Sequence, residues 1–227
     1  MAKHWVIGDV HGCCKTLRAL IEEKLIPGRE DKLIFVGDYI DRGPDSKGVI
    51  TYLMELQLLG YSIILLKGNH EDMMLRAAED KSARNNWFYN GGMPTLNSFG
   101  VRDVQEIPSH FMEFLLNLDY YYLTEQFVVV HAGLNFNLDD PFSDKEAMLW
   151  IRNQKVVPEK IGNRKLIHGH TPIMLDKLVE SVESNAPNID LDNGCVYVGT
   201  PGLGNLCALE LSSMRLEVQP NKDIIWP

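Results

Sequence analysis

The chain has no apolar run near the roughly 20 residues that a membrane-spanning helix requires, so no path through a bilayer is expected. Its start, Met1-Ala2-Lys3-His4-Trp5-Val6-Ile7, meets Gly8-Asp9 at once. That is too soon for the apolar core of a secretory leader, and the segment reads as the first strand of the fold. Cysteine is sparse: Cys13 and Cys14 are adjacent, Cys195 and Cys207 stand far away, and there is no CxxC pair of the zinc-ribbon kind. A reduced, cytoplasmic protein is the simplest account. Basic excess is lacking as well. A net charge of −9 argues against nucleic acid as a partner, because phosphate backbones call for a basic face. It leaves room for a smaller phosphate substrate, since bound cations can reverse the local potential. The sequence also lacks a G-x-S-x-G elbow, a P-loop Gly-Lys-Ser and a Cys-x5-Arg loop, so no side-chain nucleophile of those kinds is in view.

What is present is ordinary in composition and unusual in pattern. With 227 residues, 45% hydrophobic and 23% charged, the chain suits one sizeable α/β domain over residues 1–227. Five times a short apolar run is followed directly by polar, metal-competent residues. Trp5-Val6-Ile7 leads into Gly8-Asp9-Val10-His11-Gly12, and Leu33-Ile34-Phe35-Val36 into Gly37-Asp38-Tyr39-Ile40-Asp41-Arg42-Gly43. Ile63-Ile64-Leu65-Leu66 precedes Gly68-Asn69-His70-Glu71, Phe127-Val128-Val129-Val130 precedes His131-Ala132-Gly133, and Leu166-Ile167 precedes His168-Gly169-His170-Thr171. Runs of this length without polar alternation suit strands buried on both faces.

Helical periodicity links the first three strands, at Leu17, Leu20, Ile21 and Leu25 and again from Val49 to Leu56 after a Pro44-Asp45-Ser46 start. This alternation implies parallel pairing with ligands gathered beyond the carboxyl ends of the strands. Late in the chain, Cys195–Val198, Cys207–Leu211 and Leu216–Val218 read as strands of a second, largely antiparallel sheet, and Ser181–Asn188 as a surface loop. The expectation is two packed sheets with helices outside.

Asp9 and His11 lie two apart in extended backbone, so both can reach one cation. Asp38 holds the matching place after the second strand, and its two oxygens can each take a metal. Asn69 offers a neutral carbonyl oxygen, with His70 projecting beside it, and His131 and His170 sit in glycine-containing turns. Any one of these histidines alone is better read as a structural residue. Yet five of the seven histidines follow strands directly, and only His4 and His110 do not. The set reads as two metal sites sharing Asp38: Asp9, His11 and Asp38 in one, and Asp38, Asn69, His131 and His170 in the other. Imidazole mixed with carboxylate suits Mn, Fe or Zn. Two such cations roughly 3.5–4 Å apart can bind a bridging water, lower its pKa and clamp a phosphoryl group for in-line attack.

GDVHG, GDYIDRG, GNHE, HAG and HGHT, spread over residues 8 to 171, resemble the phosphoprotein-phosphatase branch of the calcineurin-like metallophosphoesterases. Within it, the compact length and Trp150-x-Arg152 are most similar to the bacterial and phage lambda type of serine/threonine phosphatase. The resemblance implies a four-layer α-β-β-α sandwich of two mixed sheets and two divalent cations, Mn first and Fe or Zn as alternatives. It implies His70 as general acid with Asp41 holding its ring, and Arg42 and Arg152 as the pair gripping the phosphoryl oxygens. His170 matches the ligand and His168 stands behind it, ligation by His168 being the alternative. Phosphoserine or phosphothreonine on a protein is the implied substrate, with smaller phosphoesters and the symmetrical dinucleoside tetraphosphatases' Ap4A as the alternatives. Asp41 and Glu71 favour the phosphatase, because the tetraphosphatases typically lose the first and carry Asp at the second. The segment GGMPTLNSFG (91–100) is similar to one in bacterial members and reads as a loop and helix beside the mouth, with Trp87, Phe88 and Tyr89 before it read as core in preference to the lining of a substrate groove. The long aromatic loop of the larger eukaryotic phosphatases has no clear counterpart.

Overall fold

The structure, a computed structural model, describes residues 2–224. β1 (His4–Ile7), β2 (Lys32–Phe35) and β3 (Ser62–Leu65) run parallel to one another. The crossovers are α1 (Cys14–Ala19), which continues as a π-helical segment over Leu20–Leu25, and α2 (Ser46–Leu58). The second helix begins where Asp45 Oδ1 accepts the N–H of Gly48 at 2.8 Å, occupying one of the free donors of its first turn. After β3 come α3 (Asn69–Glu79), α4 (Arg84–Tyr89), α5 (Met93–Phe99) and α6 (Ser109–Leu116). A second sheet follows: β4 (Tyr121–Leu123), β5 (Phe127–Val130), β6 (Lys165–His168) and β7 (Asn188–Asp190), in that spatial order. α7 (Lys145–Trp150) and α8 (Leu175–Glu183) lie between its strands in sequence. β8 (Asn205–Glu210) and β9 (Arg215–Pro220) then return to the first sheet, whose order is β3-β2-β1-β8-β9.

Strand alternation explains the layers. Val6 pairs with Ile34 and points with it to the inner face, while Trp5, Ile7, Leu33 and Phe35 point outward. The inner residues meet Phe127, Val129 and Ile167 of the second sheet in one apolar layer. The outward residues pack on α1, α2 and α3 through Leu17, Leu53 and Met73. Val128, Val130 and Leu166 cover the far side of the second sheet against Met148 and Ile161. Each such fully buried aliphatic is worth about 1.5–3 kcal/mol, which fixes the register of strands whose two faces are both covered. Two mixed sheets between helical layers are the architecture expected from the sequence.

Three local expectations need correction. The C-terminal strands do not form the second sheet; β8 runs antiparallel to β1 and extends the first. Cys195–Val198 is not a strand, because Gly194 and Gly199 adopt φ 60° and 88° and the Tyr197 N–H turns back to the Gly194 carbonyl at 2.8 Å. Ser181–Asn188 is only partly loop: α8 runs to Glu183, and Asn188 opens β7. No helix among the described residues is long and apolar enough to cross a membrane.

Candidate active site

The loops that follow β1, β2, β3, β5 and β6 meet at one end of the sandwich. They bring Asp9, His11, Asp38, Asn69, His70, His131 and His170 together in the interior, all buried. The backbone there departs from ordinary preference. His11, Asp38, Asp41, Arg42 and His170 take φ of 45°, 51°, 70°, 67° and 76°, a region costing non-glycine residues about 1–3 kcal/mol each. Strain of this kind persists only where surrounding contacts over-determine it.

Much of that determination comes from Glu71. Its carboxylate accepts the N–H groups of Gly68 (2.9 Å), Asp38 (3.0 Å), Tyr39 (2.8 Å) and Ile40 (3.3 Å). One side chain therefore ties the β2 loop to the start of α3. Burial, with Asp38 beside it, pushes the Glu71 carboxyl up to about 8.

Asp38 is the centre of the cluster. Its Oδ2 lies 3.5 Å from His11 Nε2 and 4.0 Å from His70 Nε2, while Oδ1 lies 3.6 Å from His131 Nε2. Two groups share it, His11–Asp38–His70 and Asp38–His131–His170, with ligand atoms in each within 4.8 Å of one another. Burial works against the charge on Asp38, but His131, His70, His11 and His170 outweigh it and hold the carboxyl far below its usual range.

The imidazoles are oriented by carbonyls. His11 Nδ1 donates to the Ile40 carbonyl at 3.0 Å and His131 Nδ1 to that of Val36 at 3.1 Å. A carbonyl only accepts, so the proton sits on Nδ1 and the Nε2 lone pair faces the cluster. Burial pushes both rings below the ordinary histidine range, and burial with His131 alongside takes His170 down to about 3. Neutral imidazoles are the ligand form. Asn69 Oδ1 sits between His131 Nε2 (3.0 Å) and His170 Nδ1 (2.9 Å), where a cation would take the same oxygen. Asp9 Oδ2 accepts the His170 N–H at 3.0 Å. Its Oδ1 and His170 Nε2 are buried with no hydrogen-bond partner. Orphaned ligand atoms around a charged carboxylate, with nitrogen and oxygen donors mixed, fit a pair of divalent cations.

The division of roles is less uniform than the sequence suggests. Asp9 is in the cluster but outside the two tight groups, whereas His70 falls within the first. His70 is also the one imidazole pushed upward: burial lowers it, but Asp38 and its hydrogen bond to Asp41 more than compensate. Its Nδ1 lies 2.7 Å from Asp41 Oδ2. Arg42 Nη1 donates to His11 Nε2 at 2.8 Å, so its guanidinium reaches the cluster. Arg152 stands on the exposed turn after α7, near enough to depress His170. Among the described residues it donates to no side chain of the cluster. His168 Nδ1 donates to the Gly169 carbonyl at 3.0 Å and lies 3.9 Å from Asp190, and the ring belongs to neither of the two groups.

Sequence reasoning missed Asp192, buried beside Asp9 and Asp38 and pushed up to about 7 by its burial. Its only signal was a Leu-Asp-Asn-Gly turn after a three-residue strand. Trp87 is core as expected, its indole fully buried, and its Nε1 also donates to Asp41 at 2.9 Å, whereas Tyr89 is exposed and not core.

Residues 2–198 match the profile of the Calcineurin-like phosphoesterase family. The chain is 41% identical to Serine/threonine-protein phosphatase 1 of Salmonella typhimurium over 88 residues, covering 39% of this chain and 38% of that one. It is 27% identical to Serine/threonine-protein phosphatase 2 of the same organism over 222 residues, covering 94% and 92%. A symmetrical bis(5'-nucleosyl)-tetraphosphatase of Nitrosospira multiformis is 29% identical over 132 residues, 57% and 43% of the two chains. In fold, a serine/threonine phosphatase from Saccharomyces cerevisiae with similarity to human phosphatase PP5 superposes with TM-score 0.67 at 18% identity, covering 100% of this chain and 81% of that one.

Proposed function

Because the chain belongs to the calcineurin-like phosphoesterase family, we propose that it hydrolyses phosphomonoesters, with phosphoserine and phosphothreonine of proteins as its substrates. The observation that carries this reading is the buried His70–Asp41 pair, Nδ1 to Oδ2 at 2.7 Å. A serine or threonine alkoxide is a poor leaving group, so its departure calls for a proton donor, an effect typically worth 10²–10⁴-fold. Asp41 holds the His70 ring by Nδ1 and leaves Nε2–H free to give its proton to the departing oxygen. Arg42 turns its guanidinium from His11 onto the phosphoryl oxygens, where a planar pair of donors matches the anion. Arg152, on its exposed turn, supplies the second guanidinium from the other side.

Asp9, His11 and Asp38 on one side, and Asp38, Asn69, His131 and His170 on the other, would hold two divalent cations, manganese before iron or zinc. When bound, these supply phosphoryl charge neutralisation and activation of water. Asp38 serves both sides because its two oxygens face different imidazoles. The four cysteines are free thiols, which supports a reducing compartment such as the cytoplasm.

Hydrolysis of dinucleoside tetraphosphates is the second reading, favoured by relatives of that name at 29% identity. The near-full-length match to a protein phosphatase and the intact Asp41 support the first. Metal-loaded enzyme offered a phosphoserine peptide and Ap4A separates them. Faster turnover of the peptide is the expected result, and rapid Ap4A cleavage with an inert peptide would move the enzyme to nucleotide clearance.

A further inference from the structure

The backbone at Asp41 and Arg42 raises a question that the reaction alone does not answer. Two consecutive non-glycine residues sit in the left-handed region, φ 70° and 67°, which aspartate visits occasionally as a single residue and arginine does not favour. Something outside the loop must hold it there, and the contacts identify a segment 46 or more residues further along the chain.

We propose that residues 87–95 form a positioning strap for the proton donor and the phosphate grip, with Trp87 and Thr95 as its two working side chains. The proposal rests on the reading of His70 as the group that protonates the leaving oxygen. Trp87 Nε1–H donates to Asp41 Oδ2 at 2.9 Å, the same oxygen that holds His70 Nδ1 at 2.7 Å. Thr95 Oγ1–H donates to the other oxygen, Oδ1, at 2.6 Å. Thr95 Oγ1 in turn accepts the Asp41 N–H at 3.0 Å and lies 2.9 Å from Ser46 Oγ, which takes the same N–H at 3.1 Å. The Arg42 N–H donates to the Gly91 carbonyl at 3.0 Å.

Each half of the carboxylate is thus fixed by a different residue of the strap, and Asp41 cannot rotate without breaking both bonds. Asp41, Trp87 and Thr95 are each fully buried, so water does not replace a lost partner. The two glycines between them fit this purpose. A β-carbon on Gly91, itself at φ 104°, would come within 2.8 Å of Arg42 Cγ, and one on Gly92 within 2.5 Å of Trp87 Cε2. The strap therefore lies flat against the two strained residues on one side and the indole on the other.

The bland account is that Trp87 fills the core and Thr95 caps a turn. The two accounts part on chemistry, because Trp87→Phe keeps an aromatic ring and loses the N–H, while Thr95→Val keeps shape and loses the hydroxyl. Metal-loaded variants are assayed on a phosphoserine peptide, whose alkoxide leaves poorly, and on p-nitrophenyl phosphate, whose phenolate leaves readily. The expected result is that kcat on the peptide falls roughly 10-fold or more in both variants, with KM little changed. The fall on p-nitrophenyl phosphate should be much smaller, and Thr95→Ser should restore the peptide rate. In metal-free protein, the indole N–H resonance of Trp87 should move in Asp41→Asn.

His70→Asn is the control for the underlying reading. If it discriminates between the two leaving groups while Trp87→Phe and Thr95→Val do not, the strap is packing only and the proposal fails alone. If His70→Asn shows no discrimination, the proton-donor reading fails and takes the strap's role with it. Equal losses on both substrates in the strap variants, not restored by Thr95→Ser, would also overturn the proposal.

Discussion

Asp38 turns one oxygen to His11 at 3.5 Å and the other to His131 at 3.6 Å, so a single buried carboxylate lies between the two candidate ligand groups. Removing its charge should therefore weaken both cation sites together. In Asp38→Asn, calorimetric titration with Mn²⁺ should lose both binding events, with activity falling to background. Loss of one event with the other intact would contradict a shared ligand.

Asp41 should matter to the chemistry and not to the metals. Its carboxylate touches His70, Trp87 and Thr95 and no member of the second ligand group. Asp41→Asn puts an amide against the His70 ring and should cost roughly 10²–10⁴-fold in kcat on an alkyl phosphate, with metal content unchanged. Elemental analysis of the purified variant checks the second half of that statement.

Acidity should act on stability in a defined direction. Burial raises the carboxyls of Asp9, Asp192 (to about 7) and Glu71 (to about 8) in the folded chain. The native state then keeps protons that the unfolded chain releases, so this stability is full below the ordinary carboxyl range and is lost as pH rises through about 7 to 8. Asp38 has the opposite sign, and its contribution fades only in strong acid. The depressed imidazoles of His11, His131, His168 and His170 act in the opposite direction below the ordinary histidine range. Metal-free protein should therefore show a falling Tm from about pH 7 to about pH 9, and added Mn²⁺ should flatten the curve by favouring the ionised carboxylates. A metal-free Tm that rises over that range would refute the assignment.

Glu71 should be intolerant of shortening. Four backbone N–H groups converge on its two oxygens, and Glu71→Asp withdraws them by one methylene. Leaving even one buried donor unmatched costs about 1–3 kcal/mol. Thermal unfolding should show a lower Tm, and Mn²⁺ should bind more weakly because Asp38 shares the loop. An unchanged Tm would mean that the loop holds itself.

Much of this centre was legible because each contributing residue stands directly after a buried apolar run, and strand ends are fixed by such runs. The β1, β2, β3, β5 and β6 loops are all of this kind. What failed had weaker local causes. Asn188–Asp190 buries only Ile189, too little for a pattern to show. The partner of β8 is β1, some 200 residues earlier, and hydrophobic alternation does not record which sheet a strand will join. Cys195–Val198 has strand-like residues, but the glycines flanking it take left-handed backbone and curl it into turns. Thr95 meets Asp41 across 54 positions, and no spacing rule links them. Glu71 was visible as part of a motif, while its work as a loop anchor depends on four N–H groups that only the folded chain assembles.

The most direct test of the account is Mn²⁺ titration of metal-stripped protein while hydrolysis of a phosphoserine peptide is followed. The account predicts no turnover in the stripped protein and activity that rises until two cations are bound per chain. Turnover without metal, or two cations bound with no hydrolysis of the peptide, Ap4A or p-nitrophenyl phosphate, would contradict it.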